Sequence, residues 1–329
     1  MKKNILILSA LVLLLVLFTA CGSKSATGTE PTAVVLKAEQ TEPTEIPPLT
    51  PGEPNPQVDR TLEDADSSIK AEEHRAVTGD NILNNLFERP FTAQDMEYQP
   101  DLNILTTSIT SDDSFFYFTI SLDGIDPASG MLSGTYGIEF DRTKTGRGDL
   151  LVLASNPAKE WSMENVTVYV NPTASVGGTK PIVAEEGYEG KGYTETVQLE
   201  GDKVAWARIA PEDANAVQIA VSRALMNNAE EFTWGAWADG GVKDPSLYDY
   251  DDHFGPSEAG SPINTSEDYP LKAVASLDNT CRLPYGIVDT TGIPGLCLSI
   301  PPKEEHKVSC VCVRWALSVA GVCLEWSCK

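Results

Sequence analysis

The chain is short of positive charge: 24 lysines and arginines stand against 48 aspartates and glutamates in 329 residues. Such a field disfavours nucleic acid and anionic lipid as partners, and favours cations and solubility. Histidine is scarce, with only His74, His253 and His306. No G-x-S-x-G, H-E-x-x-H or P-loop pattern occurs, so the chain reads as a non-enzyme. No repeat of fixed period is present, which argues against a propeller or solenoid. After residue 18 no apolar stretch reaches the length of a membrane-spanning helix.

What is present begins at the N-terminus. Lys2 and Lys3 precede an apolar run over 5–18, followed by Thr19, Ala20 and Cys21. A basic n-region, an apolar h-region and small residues at the cut describe a secretory signal peptide over 1–20. Residues 18–22, FTACG, resemble a bacterial lipobox, with Phe18 where leucine is usual. Cys21 is then the lipidated N-terminus, placing the chain in the bacterial cell envelope, anchored to the membrane by lipid and facing outside the cytoplasm. An ordinary secreted protein with an incidental Cys21 is the alternative. Loss of the leader removes two lysines and leaves 22 basic residues against 48 acidic, a net charge of −26. Residues 21–56 are rich in Pro, Thr and Glu and nearly free of aromatics, so they read as a disordered tether. Residues 57–100 form an entry segment, with a helix of a few turns expected from an N-cap at 66–68 to Gly79 and a shorter turn over 81–88.

From residue 101 the apolar period becomes two. Strands are expected at 102–110, 115–122, 135–140, 150–154, 166–170, 193–199, 204–209, 217–221, 232–238 and 271–277. Gly, Asn and Asp turns separate them. At the centre, GTYGIEFDRTKTGRGDLLVLAS over 134–155 places two strands around an Asp- and Gly-bearing loop. A lone hairpin cannot bury its apolar side, so a second sheet is required. The expected fold is all-β: an antiparallel sandwich or jelly roll over 101–278, with a short helical entry and a Cys-rich region over 279–329.

The succession SFFYFTISL, then the central hairpin, then ENVTVYVNPTASVGG and EEFTWGAWADGG resembles the jelly-roll sandwich of family 9 carbohydrate-binding modules and DOMON-like domains, and more closely a group of bacterial secreted lipoproteins carrying that domain. The resemblance covers about 101–241. It implies a calcium-loop-like segment after the central strand, of which Asp141, Gly146, Gly148 and Asp149 remain, while Thr143 and Thr145 occupy inner acidic positions. Calcium requires six to eight oxygens. Two carboxylates beside Arg142 and Lys144 make a poor cage, so a hairpin loop whose aspartates cap amides is the favoured reading.

A second acidic constellation lies in 234–262, read as one long loop. It holds Asp239, Asp244, Asp249, Asp251, Asp252, His253 and Glu258 beside Trp234, Trp237, Tyr248, Tyr250 and Phe254. In an extended segment Asp249 and Asp251 point the same way. Three readings follow: a calcium-stabilised loop on Asp239, Asp249, Asp251 and Asp252; aromatics plugging the sandwich with aspartates in Asx turns outside; and a sugar platform of Trp234, Trp237, Tyr248, Tyr250 and His253. His253 as a general base of a glycan-active hydrolase is a minority reading, and no Met or His pair is placed as haem ligands.

Six cysteines remain after Cys21: Cys281, Cys297, Cys310, Cys312, Cys323 and Cys328. An even number in an oxidising compartment implies three disulfides. Local closure suggests Cys281 with Cys297, and the others pair among themselves in a stapled hairpin over 308–313 and 320–326. Zinc held by His306, Cys310 and Cys312 is the rival. Two function classes stay open: a non-catalytic binding module for glycan or another extracellular ligand, and a structural or protein-interaction lipoprotein without a small-molecule ligand. Exposed aromatics favour the first and a buried aromatic set the second.

Overall fold

The computed structural model describes residues 47–182 and 191–297 in full, and residues 310–315 and 323–328 by their backbone. The leader, Cys21 and most of the tether lie outside these residues. The chain enters one sheet with β1 (Arg60–Glu63) and crosses to a second for β2 (Glu88–Arg89). It returns for β3 (Ile104–Ser111) and β4 (Phe115–Leu122), then crosses for β5 (Thr135–Asp141), β6 (Leu150–Ser155), β7 (Val166–Val170) and β8 (Glu195–Thr196). A third visit to the first sheet gives β9 (Ala205–Ala210) and β10 (Asp213–Ser222). The second sheet is completed by β11 (Phe232–Asp239), β12 (Leu277–Asn279) and β13 (Leu283–Tyr285).

The first sheet has the order β1-β3-β4-β10-β9; the second runs β2-β12-β11-β5-β6-β7-β8, with β13 also on β11. Every strand pair in these two sheets is antiparallel, so the fold is an all-β sandwich. Period-two patterning places Phe116, Phe118 and Ile120 of β4 against Tyr136, Ile138 and Phe140 of β5 and Trp234 of β11 in the core between the sheets. The second sheet is also covered on its outer face. Loops bring Phe87, Tyr193, Tyr248 and Tyr250 onto Leu151, Leu153 and Trp237 there, which is why all of β5 and β11 is buried.

The structure departs from the patterning at several places. The entry helix is a seven-residue 3₁₀ segment, Ser67–Glu73, capped by Asp66 accepting from the Ser68 amide and ended by His74 in the left-handed region. It stays short because it buries only Ser67 and leaves Ile69 65% exposed, so no apolar face supports propagation. The turn over 81–88 becomes a single 3₁₀ turn, Ile82–Asn84, followed by β2. The strand expected over 193–199 shrinks to β8, because Tyr193 turns away and its amide donates to Pro245 O. The strand expected over 271–277 does not form, since Lys272 N donates to Ala259 O and Val274 O accepts from Arg89; β12 begins only at its last residue, Leu277. The sandwich takes strands from both sides of 101–278. At the C-terminus β14 (Cys310–Trp315) and β15 (Cys323–Cys328) form the expected antiparallel hairpin.

The end of the tether is ordered, contrary to expectation. Trp206 Nε1 donates to Leu49 O at 3.0 Å and Trp161 Nε1 to Gly52 O at 3.1 Å, while Glu53 takes both terminal nitrogens of Arg208. Proline-rich chain has no internal hydrogen bonds to lose, so its carbonyls are free for indole donors on the sheet's outer face. A chain beginning at residue 57 is expected to melt a few degrees below one beginning at 47. Equal midpoints in a thermal melt would show that this contact adds nothing to the fold.

Candidate binding site

The site is built on Glu139, the one charged side chain between the core residues Ile138 and Phe140 on β5. Alternation turns it to the outer face of the sheet, where it is 3% exposed. Its register partner on β11 is Gly235. A Cβ there would lie 3.1 Å from Thr280 O, so glycine makes room for the chain between β12 and β13, which bulges against β11 at this point. That bulge is fixed by Thr280, whose amide donates to Ala236 O and whose Oγ1 accepts from Ala236 N. Two residues on, Arg282 Nη2 donates to Glu139 Oε2 at 2.6 Å and Nη1 donates to Gly146 O. Tyr193 Oη donates to the other carboxylate oxygen at 2.8 Å.

Above this pair opens a cavity of about 320 Å³. Its walls come from the turn at Asn85 and Leu86, the central loop at Gly146, and Leu296 of the Pro- and Gly-rich loop. The Cys281–Cys297 disulfide, with Cα atoms 5.1 Å apart, closes that last loop, and Cys297 N donates to Arg282 O at 2.9 Å. The arginine is therefore held by its own carbonyl and by the disulfide at Cys281 before it. Asn85 Nδ2 donates to Tyr248 O at 3.0 Å, while its buried Oδ1 has no partner. Burial opposes the Arg282 charge, but Glu139 beside it outweighs burial and holds the guanidinium above its ordinary value. Burial, then the Glu139 charge, pushes the Tyr193 phenol well upward. The opposed charges cancel at close range, so the pocket floor is polar without a net sign.

The aspartates singled out from the sequence are mostly committed to amides. Asp141 accepts from Thr143 N at 3.0 Å and Gly146 N at 2.6 Å, and Asp149 from Arg142 N and Nε, in keeping with the hairpin-loop reading. Burial outweighs Arg142 and raises the Asp149 carboxyl. Asp239, raised by burial, accepts from Gly241 N, Lys243 N and Tyr248 Oη. Asp249 accepts from Gly192 N and from His253 Nε2 at 2.8 Å. That bond, against the opposing effect of burial, raises the imidazole. The Ile182 amide donates to Asp252.

The 234–262 region is not one loop. Trp234 and Trp237 belong to β11, and residues Tyr250–His253 form a short helix, α1, so Asp249 and Asp251 lose the common direction expected of extended chain. Asp251 is buried with both oxygens unbonded, and desolvation raises it to about 7. Among the described residues no three His, Cys, Asp or Glu side chains are placed to hold a metal ion.

The sugar platform is also not formed. Trp234, Trp237, Tyr248 and Tyr250 are each at most 1% exposed, because alternation sends Trp234 into the core and Trp237 beneath the outer layer. Only His253, in the rim of that layer, keeps partial access. Cys281 and Cys297 pair as local closure suggests; the side chains of Cys310, Cys312, Cys323 and Cys328 lie outside the described residues, as does His306. Sequence reading passed over Glu139, Arg282, Asn85 and Tyr193. The one signal was a lone carboxylate inside the apolar alternation of TYGIEFD. Comparison with protein-family models, curated proteins and solved structures gives no match to this chain.

Proposed function

We propose that this protein is a non-catalytic, lipid-anchored extracellular binding module that holds a compact, neutral, polyhydroxylated ligand of carbohydrate type in the pocket over Glu139 and Arg282. The observation that carries the reading is a buried, mutually neutralised Glu139–Arg282 pair at the floor of a cavity of about 320 Å³, with Tyr193 donating to Glu139 from behind it. A volume at the low end of the roughly 300–1,000 Å³ typical of ligand pockets suits a small ligand. A floor with donors, acceptors and no net charge suits hydroxyl groups. Glu139 is the only carboxylate of the wall among the described residues, and glycoside hydrolysis uses two, which supports binding without turnover. The leader, the lipobox-like FTACG and the resemblance to carbohydrate-binding modules support the location and ligand class.

A second reading, an interaction lipoprotein with no small-molecule ligand, draws on the burial of all four aromatic rings. A glycan array with the chain from residue 47 onward separates them. Leu296→Trp adds bulk to the pocket wall and keeps both charges of the ion pair, and is expected to weaken the retained glycan at least about tenfold, or 1.4 kcal/mol, with an unchanged melt. No glycan retained, or binding indifferent to Leu296→Trp, would favour the second reading.

A further inference from the structure

Away from the pocket floor, a group of acids is buried without a counter-charge. Glu88 on β2 and Asp278 on β12 are direct partners in the antiparallel register, and they are 2% and 0% exposed. Opposed side chains in such a pair lie within about 6 Å at Cβ. Glu88 Oε1 accepts from Ser67 Oγ at 2.6 Å, and Asp278 Oδ2 from the Ile104 amide at 2.7 Å. Asp278 Oδ1 is buried with no donor, as is Oδ2 of Asp64, just past β1. Asp66 and Asp80 add negative charge around Glu88. The adjoining arginine, Arg89, is already spent on Asp80 at 2.6 and 2.9 Å and on the carbonyls of Ala259 and Val274.

Two like charges at this range and burial cannot both persist. The two readily available remedies are a metal ion and a proton. The first needs six to eight oxygens for calcium, which this donor set does not supply among the described residues. We propose that Glu88 and Asp278 are a carboxylate pair closed by a shared proton, a pH-sensitive latch that holds the entry segment bearing β1 and β2 onto the sandwich. The proton supplies the donor that Asp278 Oδ1 lacks. Its loss leaves two anions face to face on β2 and β12, next to Asp64.

The titration has a defined sign. Desolvation, then neighbouring acids, raises Glu88 to about 9 and, by desolvation, Asp64 to about 7, with Asp278 raised as well. Folded values above unfolded ones mean that the stabilisation is complete below the unfolded carboxylate range near pH 4 and is lost progressively as pH rises to about 9.

The test is a thermal melt from pH 5 to pH 9 of the chain from residue 47 onward, for the wild type, Asp278→Asn and Glu88→Gln. Each amide mimics the protonated acid and keeps the acceptor that Ile104 N or Ser67 Oγ uses. The wild-type midpoint is expected to fall across the range by about 5 °C or more. Both variants should have flatter profiles and lie above the wild type at pH 9. Parallel profiles would overturn the proposal, and so would a loss at every pH in both variants, which would make the acids simple acceptors. A wild-type midpoint restored at pH 9 by calcium, but not in Asp278→Asn, would also overturn it in favour of a cation.

Discussion

Replacing Arg282 with methionine is expected to destabilise the fold by about 3–5 kcal/mol, because it strands Glu139 as an uncompensated charge beneath the outer layer. The two side chains are 9% and 4% exposed, so solvent screens the pair very little. Methionine keeps most of the aliphatic volume, which isolates the loss of charge and of the donor to Gly146 O. Equilibrium denaturation at pH 7 measures the effect. The double variant Glu139→Gln with Arg282→Met should recover much of the loss, since glutamine carries no charge and still accepts from Tyr193. A cost under about 1 kcal/mol would mean that water reaches the pair, and the neutral-floor argument for the pocket would fail.

Trp237→Ala is expected to cost about 3–5 kcal/mol, the range for deleting a large buried aromatic. Its ring lies 4.7 Å from Tyr248 and 6.1 Å from both Phe87 and Tyr250, centroid to centroid, and so forms the floor on which two separate segments, around Phe87 and around 248–250, rest. Those segments have little secondary structure of their own and depend on this contact. The expected signature is a lower unfolding midpoint with increased hydrogen exchange in the segments around Phe87, Tyr248 and Tyr250. A ring acting as a sugar platform would behave in the opposite way, with weaker glycan binding and an unchanged midpoint.

The departures from expectation share a cause. Alternation in TYGIEFD and TWGAWAD is a local property, and it survives folding because each strand has only two faces to offer. Whether the second face meets water or protein depends on residues far along the chain. Trp234 and Trp237 look alike in sequence, yet one lies between the sheets and the other beneath Phe87 and the segment 242–254. The aspartates of the central loop were readable as caps because the amides that they bind lie at most seven residues away. Arg282 reaches Glu139 across 143 residues, and no local pattern announces a partner at that distance.

The sequence by itself determined the strand-rich class, the hairpin around residues 141–149 and the closure of Cys281 on Cys297, since period-two burial, turn chemistry and short-range loop closure all act between near neighbours. Only the tertiary structure decided that the tether's end packs on a sheet, that the aromatic rings are hidden, and that Glu139 meets Arg282 while Glu88 meets Asp278. Those outcomes depend on which strands become neighbours and which loops cover them, and that choice is made by packing of the whole sandwich.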